Sequence, residues 1–155
     1  MFLYVLLFQP EISTPVKFTY FPDFGIELPL GYSVHGIDVS RHQENIDWKV
    51  VANEKQDDIS IHFAFIKATE GVSTADKNFK KNWQGANSTN IVCGAYHYFI
   101  ATKNGKDQAR NFIKTVELKN GNLPPVIDIE ELYGANPVDM RLRMKEWIQM
   151  VEDYY

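Results

Sequence analysis

Leu123-Pro124-Pro125-Val126-Ile127-Asp128-Ile129-Glu130 is an apolar, β-branched run that closes on two carboxylates, and its reading decides the fold. On an extended strand, residues i and i+2 point to the same side with Cα atoms roughly 6.6 Å apart, so Asp128 and Glu130 are expected to project from one strand end into one site. The apolar residues ahead of them predict a buried strand, and acids at the end of a buried strand need a compensating role. Three earlier segments have the same character: Val34–Ser40, His62–Ala68 and Val92–Phe99. Their polar residues Asp38, Lys67 and His97 stand 29, 30 and 31 residues apart in the series that ends at Asp128, about one strand-helix-strand step each.

Helical patterns fill the intervals. Asp47–Lys55 is one. In Ala75–Ala86, Phe79 and Trp83 stand at i, i+4, and in Lys106–Val116, Ala109, Phe112, Ile113 and Val116 share a face. A last helix is predicted to start with Asn136 as N-cap and Pro137 at the first helical position, with Met140, Met144, Trp147, Ile148 and Val151 along one stripe. Alternating strands and helices imply a parallel sheet whose ligand lies outside the carboxyl ends of the strands. No G-x-G-x-x-G or G-x-x-x-x-G-K-[ST] occurs in the chain, so a sheet curling toward a barrel is preferred to a nucleotide-binding doubly wound one.

Composition narrows the function classes. The 155 residues are 45% apolar and 23% charged, with 16 Lys and Arg against 20 Asp and Glu, a formal charge of −4. That balance suits a globular domain and argues against nucleic-acid binding through phosphate neutralisation. The lone Cys93 excludes an intramolecular disulfide, and His35, His42, His62 and His97 show no metal-ligand spacing, so neither metal nor cofactor is expected. No Ser stands in a G-x-S-x-G turn. At the N-terminus Phe2–Phe8 is apolar but far short of the roughly 20 residues that span a bilayer. With Pro10, Pro15, Pro22 and Pro29 after it, residues 1–33 read as a tether, or as the remnant of a signal or membrane anchor, ahead of a domain at 34–155.

Two acids whose environments separate their pKa values are the working pair of a glycosidase, one protonating the leaving oxygen while the other stabilises or attacks the developing cation. In Gly36-Ile37-Asp38-Val39-Ser40 the carboxylate shares its side with the small residues Gly36 and Ser40, which leaves room for a ligand. Lys67 and Glu70 either form an ion pair fixing a loop or bond a polar substrate. Alternation separates Tyr96 and Tyr98 from His97 and Phe99, and either pair can face the site, where rings would stack on sugars.

These segments together resemble glycoside hydrolase family 25, the N-acetylmuramidase type of lysozyme. The resemblance runs through Gly36–Ser40 with Gln43 and Ile46-Asp47-Trp48, Phe65–Gly71, Phe79 to Trp83, Gly94–Phe99 and Pro125–Glu130. It implies an α/β fold, a partial (β/α) barrel of TIM-like type with the first four βα units only. It implies hydrolysis of the β-1,4 bond between N-acetylmuramic acid and N-acetylglucosamine in peptidoglycan, retaining with acetamido assistance. Glu130 would be the general acid, Asp128 would orient the substrate's acetamido group or stabilise the cationic centre, and Asp38 would support both electrostatically. Lys67, Glu70, Tyr96, His97 and Tyr98 would bind the glycan, and the location would be secreted or cell-envelope associated. The family domain continues for several more strands and another active-site Asp, and residues 34–155 fall short of the 200 or so usual for such a barrel. The chain alone is therefore expected to have weak or no activity and to associate through an open sheet edge. A catalytically incomplete glycan-binding fragment and an enzyme acting on another polysaccharide are the alternatives.

Overall fold

The computed structural model describes residues 16–22, 25–56 and 59–155. Among the described residues thirteen elements follow one another. They are β1 (Phe18–Phe21), β2 (Ile26–Pro29), β3 (His35–Val39), a 3-10 turn (Arg41–Gln43), α1 (Trp48–Asn53), β4 (Lys55–Gln56), β5 (Ile59–Glu70) and β6 (Thr74–Ala75), then α2 (Phe79–Asn87), β7 (Val92–Tyr98), α3 (Gly105–Thr115), β8 (Val126–Asp128) and α4 (Pro137–Tyr154).

The main sheet has the order β3-β5-β7-β8, every neighbouring pair parallel, with β4 and β6 added antiparallel to β5. All four expected strands and all four expected helices form, in the expected order. Within the segment read as a tether, β1 and β2 pair as an antiparallel hairpin, with Phe18 opposite Pro29 and Phe21 opposite Ile26. The apolar run Phe2–Phe8 lies outside the described residues, and among those described no helix is long and apolar enough to cross a membrane.

Local chemistry sets the helix starts. The Asp47 carboxylate accepts from the Lys49 and Val50 amides at 3.0 and 3.3 Å, Asn104 from Asp107 N at 3.0 Å, and Asn136 from Val138 N at 2.8 Å with Pro137 behind it. Each satisfies amides that the first helical turn leaves without partners. The core lies between one face of the sheet and the helices. Ala64, Ile66, Cys93 and Ala95 meet Phe99, Ala109, Phe112, Trp147 and Val151, all nearly inaccessible to solvent. The close approach of α3 to α4 depends on Gly105, where a Cβ would collide with the Arg143 carbonyl oxygen.

One expectation needs correction. The strand at the acid pair is three residues long and half-buried, ending at Asp128, so Glu130 lies beyond it in an exposed loop. Pro124 and Pro125 carry no amide donors and cannot extend the ladder N-terminally. The β7–β8 pairing closes with Phe99 N donating to Asp128 O at 2.8 Å. β5 runs on to Glu70 and carries a bulge: Lys67 is opposite Tyr96 but Thr69 is opposite His97, so simple alternation fails across Ala68.

Candidate active site

The register fixes which side chains share the face away from the helices. Gly36 is opposite Phe63 and Gly94 opposite Phe65, and a Cβ on either glycine would run into the opposing ring. Paired residues of a parallel ladder project to the same side, so the face continues along β3 to Asp38, along β5 to Lys67, along β7 to Tyr96 and Tyr98 and along β8 to Asp128. The glycines make room for Phe63 and Phe65 to pack edge to face at 5.8 Å beneath the polar residues. These polar groups stand at the carboxyl ends of the four strands, the end where ligands bind in parallel α/β folds.

Tyr96 is the centre of the arrangement. Its phenol is pushed well above the ordinary tyrosine range, first by burial and then by the negative charges of Asp38, Asp128, Asp76 and Glu130. A phenol so placed keeps its proton and remains a hydrogen-bond donor among carboxylates. Asp128 is also raised, by burial first, then by Glu130, with Lys67 opposing and Asp38 adding. Asp128 and Glu130 thus interact although only the first belongs to the strand.

Lys67 and Glu70 form a direct ion pair at 2.7 Å, and the Lys67 ammonium also lies 4.4 Å from the centre of the Tyr98 ring. The bulge makes this possible. Residues three apart on a regular strand point to opposite faces, and the extra residue between Lys67 and Thr69 returns Glu70 to the side of Lys67. Of the two readings of this pair, the ion pair is present and sits on the same face of the sheet.

His97 does not share that face, which corrects its assignment as a substrate-binding residue. It points to the helix side and is fully buried, with Nδ1 2.7 Å from Thr69 Oγ1, Nε2 3.2 Å from Gln108 Oε1, and its ring stacked on Trp147 at 5.6 Å. Alternation permitted either face, and only the packing of α3 and α4 decides between them. Phe99 is likewise core.

Two residues of the site were not singled out from sequence. The buried Asp76 accepts from Arg41 N and Asn78 N, both at 2.9 Å, and so ties the turn after Asp38 to the segment entering α2. Its place in the sequence, just ahead of a helix, carries no sign of the contact with Arg41. Tyr133, in the loop after Glu130, bonds its hydroxyl to that of Tyr98 at 2.8 Å. Nothing in its local pattern indicates this contact. Among the described residues no three His, Cys, Asp or Glu side chains converge to hold a metal ion.

Comparison with known proteins gives the same picture. The chain is 44% identical over 138 residues to a protein named YegX from Escherichia coli, covering 89% of this chain and 49% of the relative. It is 36% identical over 118 residues to Lysozyme M1 of Streptomyces globisporus, covering 70% of this chain and 38% of that protein. A solved family 25 glycosyl hydrolase from Bacillus anthracis superposes with a TM-score of 0.72 at 39% identity, over 80% of this chain and 57% of that one. The chain thus spans about half the length of the first of these curated relatives, and its sheet and helices correspond to part of a TIM-like (β/α) barrel. The model of glycosyl hydrolases family 25 matches residues 37–155, from Ile37 beside the first site carboxylate through all four strand ends, and the chain belongs to that family.

Proposed function

We propose that the protein hydrolyses the β-1,4 bond between N-acetylmuramic acid and N-acetylglucosamine in peptidoglycan. The observation that carries this reading is the gathering of Asp38, Asp128 and Glu130 around the Tyr96 phenol at the carboxyl end of a parallel sheet. Glu130, exposed beyond the strand end, is the general acid that protonates the departing O4. Asp128, half-buried and raised in pKa, accepts the acetamido N–H of the substrate and orients its carbonyl oxygen toward the anomeric carbon. Retention then proceeds through the substrate's own acetamide, outside the two-carboxylate scheme. Asp38 adds negative potential that stabilises the developing cation.

Lys67, Glu70, Tyr96 and Tyr98 line the groove, with the tyrosine rings stacking on pyranose faces. Residues 34–155 are the catalytic domain portion and residues 1–33 the tether. Peptidoglycan as substrate implies a secreted or envelope location, with any membrane attachment through the N-terminal segment. The outer edges of β3 and β8 carry backbone groups that a second copy of the 155-residue chain can pair with.

The test is reducing-end release from purified peptidoglycan by a protein carrying this chain in a complete family 25 domain. New reducing ends should be N-acetylmuramic acid by mass spectrometry. Glu130→Gln should lower turnover roughly 10²- to 10⁴-fold while glycan binding persists. Turnover retained in that variant would remove Glu130 from the role of acid, and reducing ends of N-acetylglucosamine would overturn the bond assignment.

A further inference from the structure

The turn after the acid pair is built against the preferences of one of its residues. Ala135 N donates to Leu132 O at 2.8 Å, closing a four-residue turn in which Tyr133 and Gly134 have φ of 49° and 74°. Two positive φ values are the pattern of a type I′ turn, where Gly, Asn and Asp dominate because a Cβ in the left-handed region crowds the neighbouring carbonyl. Gly134 suits its position and Tyr133 does not. Among the described residues only Glu44 also has a positive φ without being glycine. Burial does not explain the choice, since Tyr133 is 44% exposed.

What the strained backbone achieves is placement. It carries the Tyr133 hydroxyl to 2.8 Å from that of Tyr98, whose ring in turn lies under the Lys67 ammonium. The two phenols therefore join the loop after β8 to the end of β7, three residues beyond Glu130. Two hydroxyls that share one hydrogen bond keep a further donor and free acceptor sites for a polar ligand, while their rings offer an apolar surface. A pyranose has both complements, an apolar C–H face and a hydroxyl rim. Strain of this kind in a functional loop persists where the placement it produces is used.

We propose that Tyr133 is a substrate-positioning residue which, with Tyr98, seats one pyranose ring of the glycan beside Asp128 and Glu130. This rests on the peptidoglycan-hydrolase reading above. The experiment is calorimetric titration of the 155-residue chain with a soluble, peptide-free tetrasaccharide of alternating N-acetylglucosamine and N-acetylmuramic acid. Tyr133→Gly keeps the turn, relieves its backbone and removes the ring, so affinity should fall roughly ten-fold with no loss of melting temperature. Tyr133→Phe keeps the ring and should recover most of that loss, a rescue that a purely structural role would not produce. Wild-type affinity in Tyr133→Gly overturns the proposal alone, as does an equal loss in the Phe and Gly variants. Absence of binding by the wild-type chain overturns the proposal together with the reading beneath it.

Discussion

His97 should make the fold acid-sensitive in a window that a single substitution can erase. The Ile100 amide donates to Gln108 Oε1 at 2.8 Å while Gln108 Nε2 donates to Ile100 O at 3.1 Å, which fixes the side-chain amide with its oxygen toward His97. His97 therefore donates from Nε2 to Gln108 and accepts at Nδ1 from the Thr69 hydroxyl, as a neutral ring satisfied on both nitrogens. Burial holds its pKa down to about 4 against an ordinary 6.5. Below pH 6.5 the unfolded chain takes up a proton that the folded chain refuses, so stability is lost as pH falls toward 4. Between pH 7 and pH 4.5 linkage puts that loss at about 2 kcal/mol, a large share of the roughly 5–15 kcal/mol typical of a domain. Asp128, raised in pKa, binds protons more readily when folded and contributes with the opposite sign. The comparison is therefore wild type against His97→Gln, by urea unfolding followed through tryptophan fluorescence at both pH values. The variant loses packing at any pH, but its stability should fall by about 2 kcal/mol less than that of wild type on acidification. Equal pH dependence in the two proteins would refute the linkage and the tautomer drawn from the Gln108 amide.

Gly105→Ala should destabilise the fold by about 1–3 kcal/mol in chemical denaturation, because the added methyl meets a backbone carbonyl of Arg143 that no rotamer change can move; a neutral result would show that α4 slides freely on α3. Glu130→Gln should lower the pKa of Asp128, since the Glu130 charge is its largest electrostatic cause after burial, and carboxyl ¹³C titration of the variant would show no downward movement if the two groups do not interact.

The parts legible in the sequence are those set by period and by local capping chemistry. Spacing from Asp38 to Asp128 gave four parallel strands, and Asn136-Pro137 marked a helix start within a residue. The parts not legible depend on partners far along the chain. Alternation could place Tyr96 and His97 on opposite faces but could not say which face the helices would cover. That follows from Phe112 and Trp147, which wrap the His97 ring. The length of β8 was overstated because an apolar run signals burial without showing where a neighbouring strand stops pairing; here β7 ends at Tyr98, opposite Asp128. Asp76 and Tyr133 escaped notice because each acts across the fold, on Arg41 and on Tyr98.

The bulge in β5 joins these threads, since one inserted residue determines both faces of the sheet. It turns Thr69 to the helix side, where the hydroxyl satisfies His97, and turns Glu70 to the groove, where the carboxylate meets Lys67. Had alternation continued, Thr69 would share the groove with Lys67 and His97 Nδ1 would be buried without its partner, at a cost of about 1–3 kcal/mol. Lys67 would then face the carboxylates without Glu70 beside it. Lys67 is held to Glu70 and over the Tyr98 ring, and its pull on Asp128 is outweighed by burial and by the Glu130 charge, so Asp128 stays raised. The surroundings of the acid pair thus include a backbone irregularity in β5, two strands before β8 in the order of the main sheet.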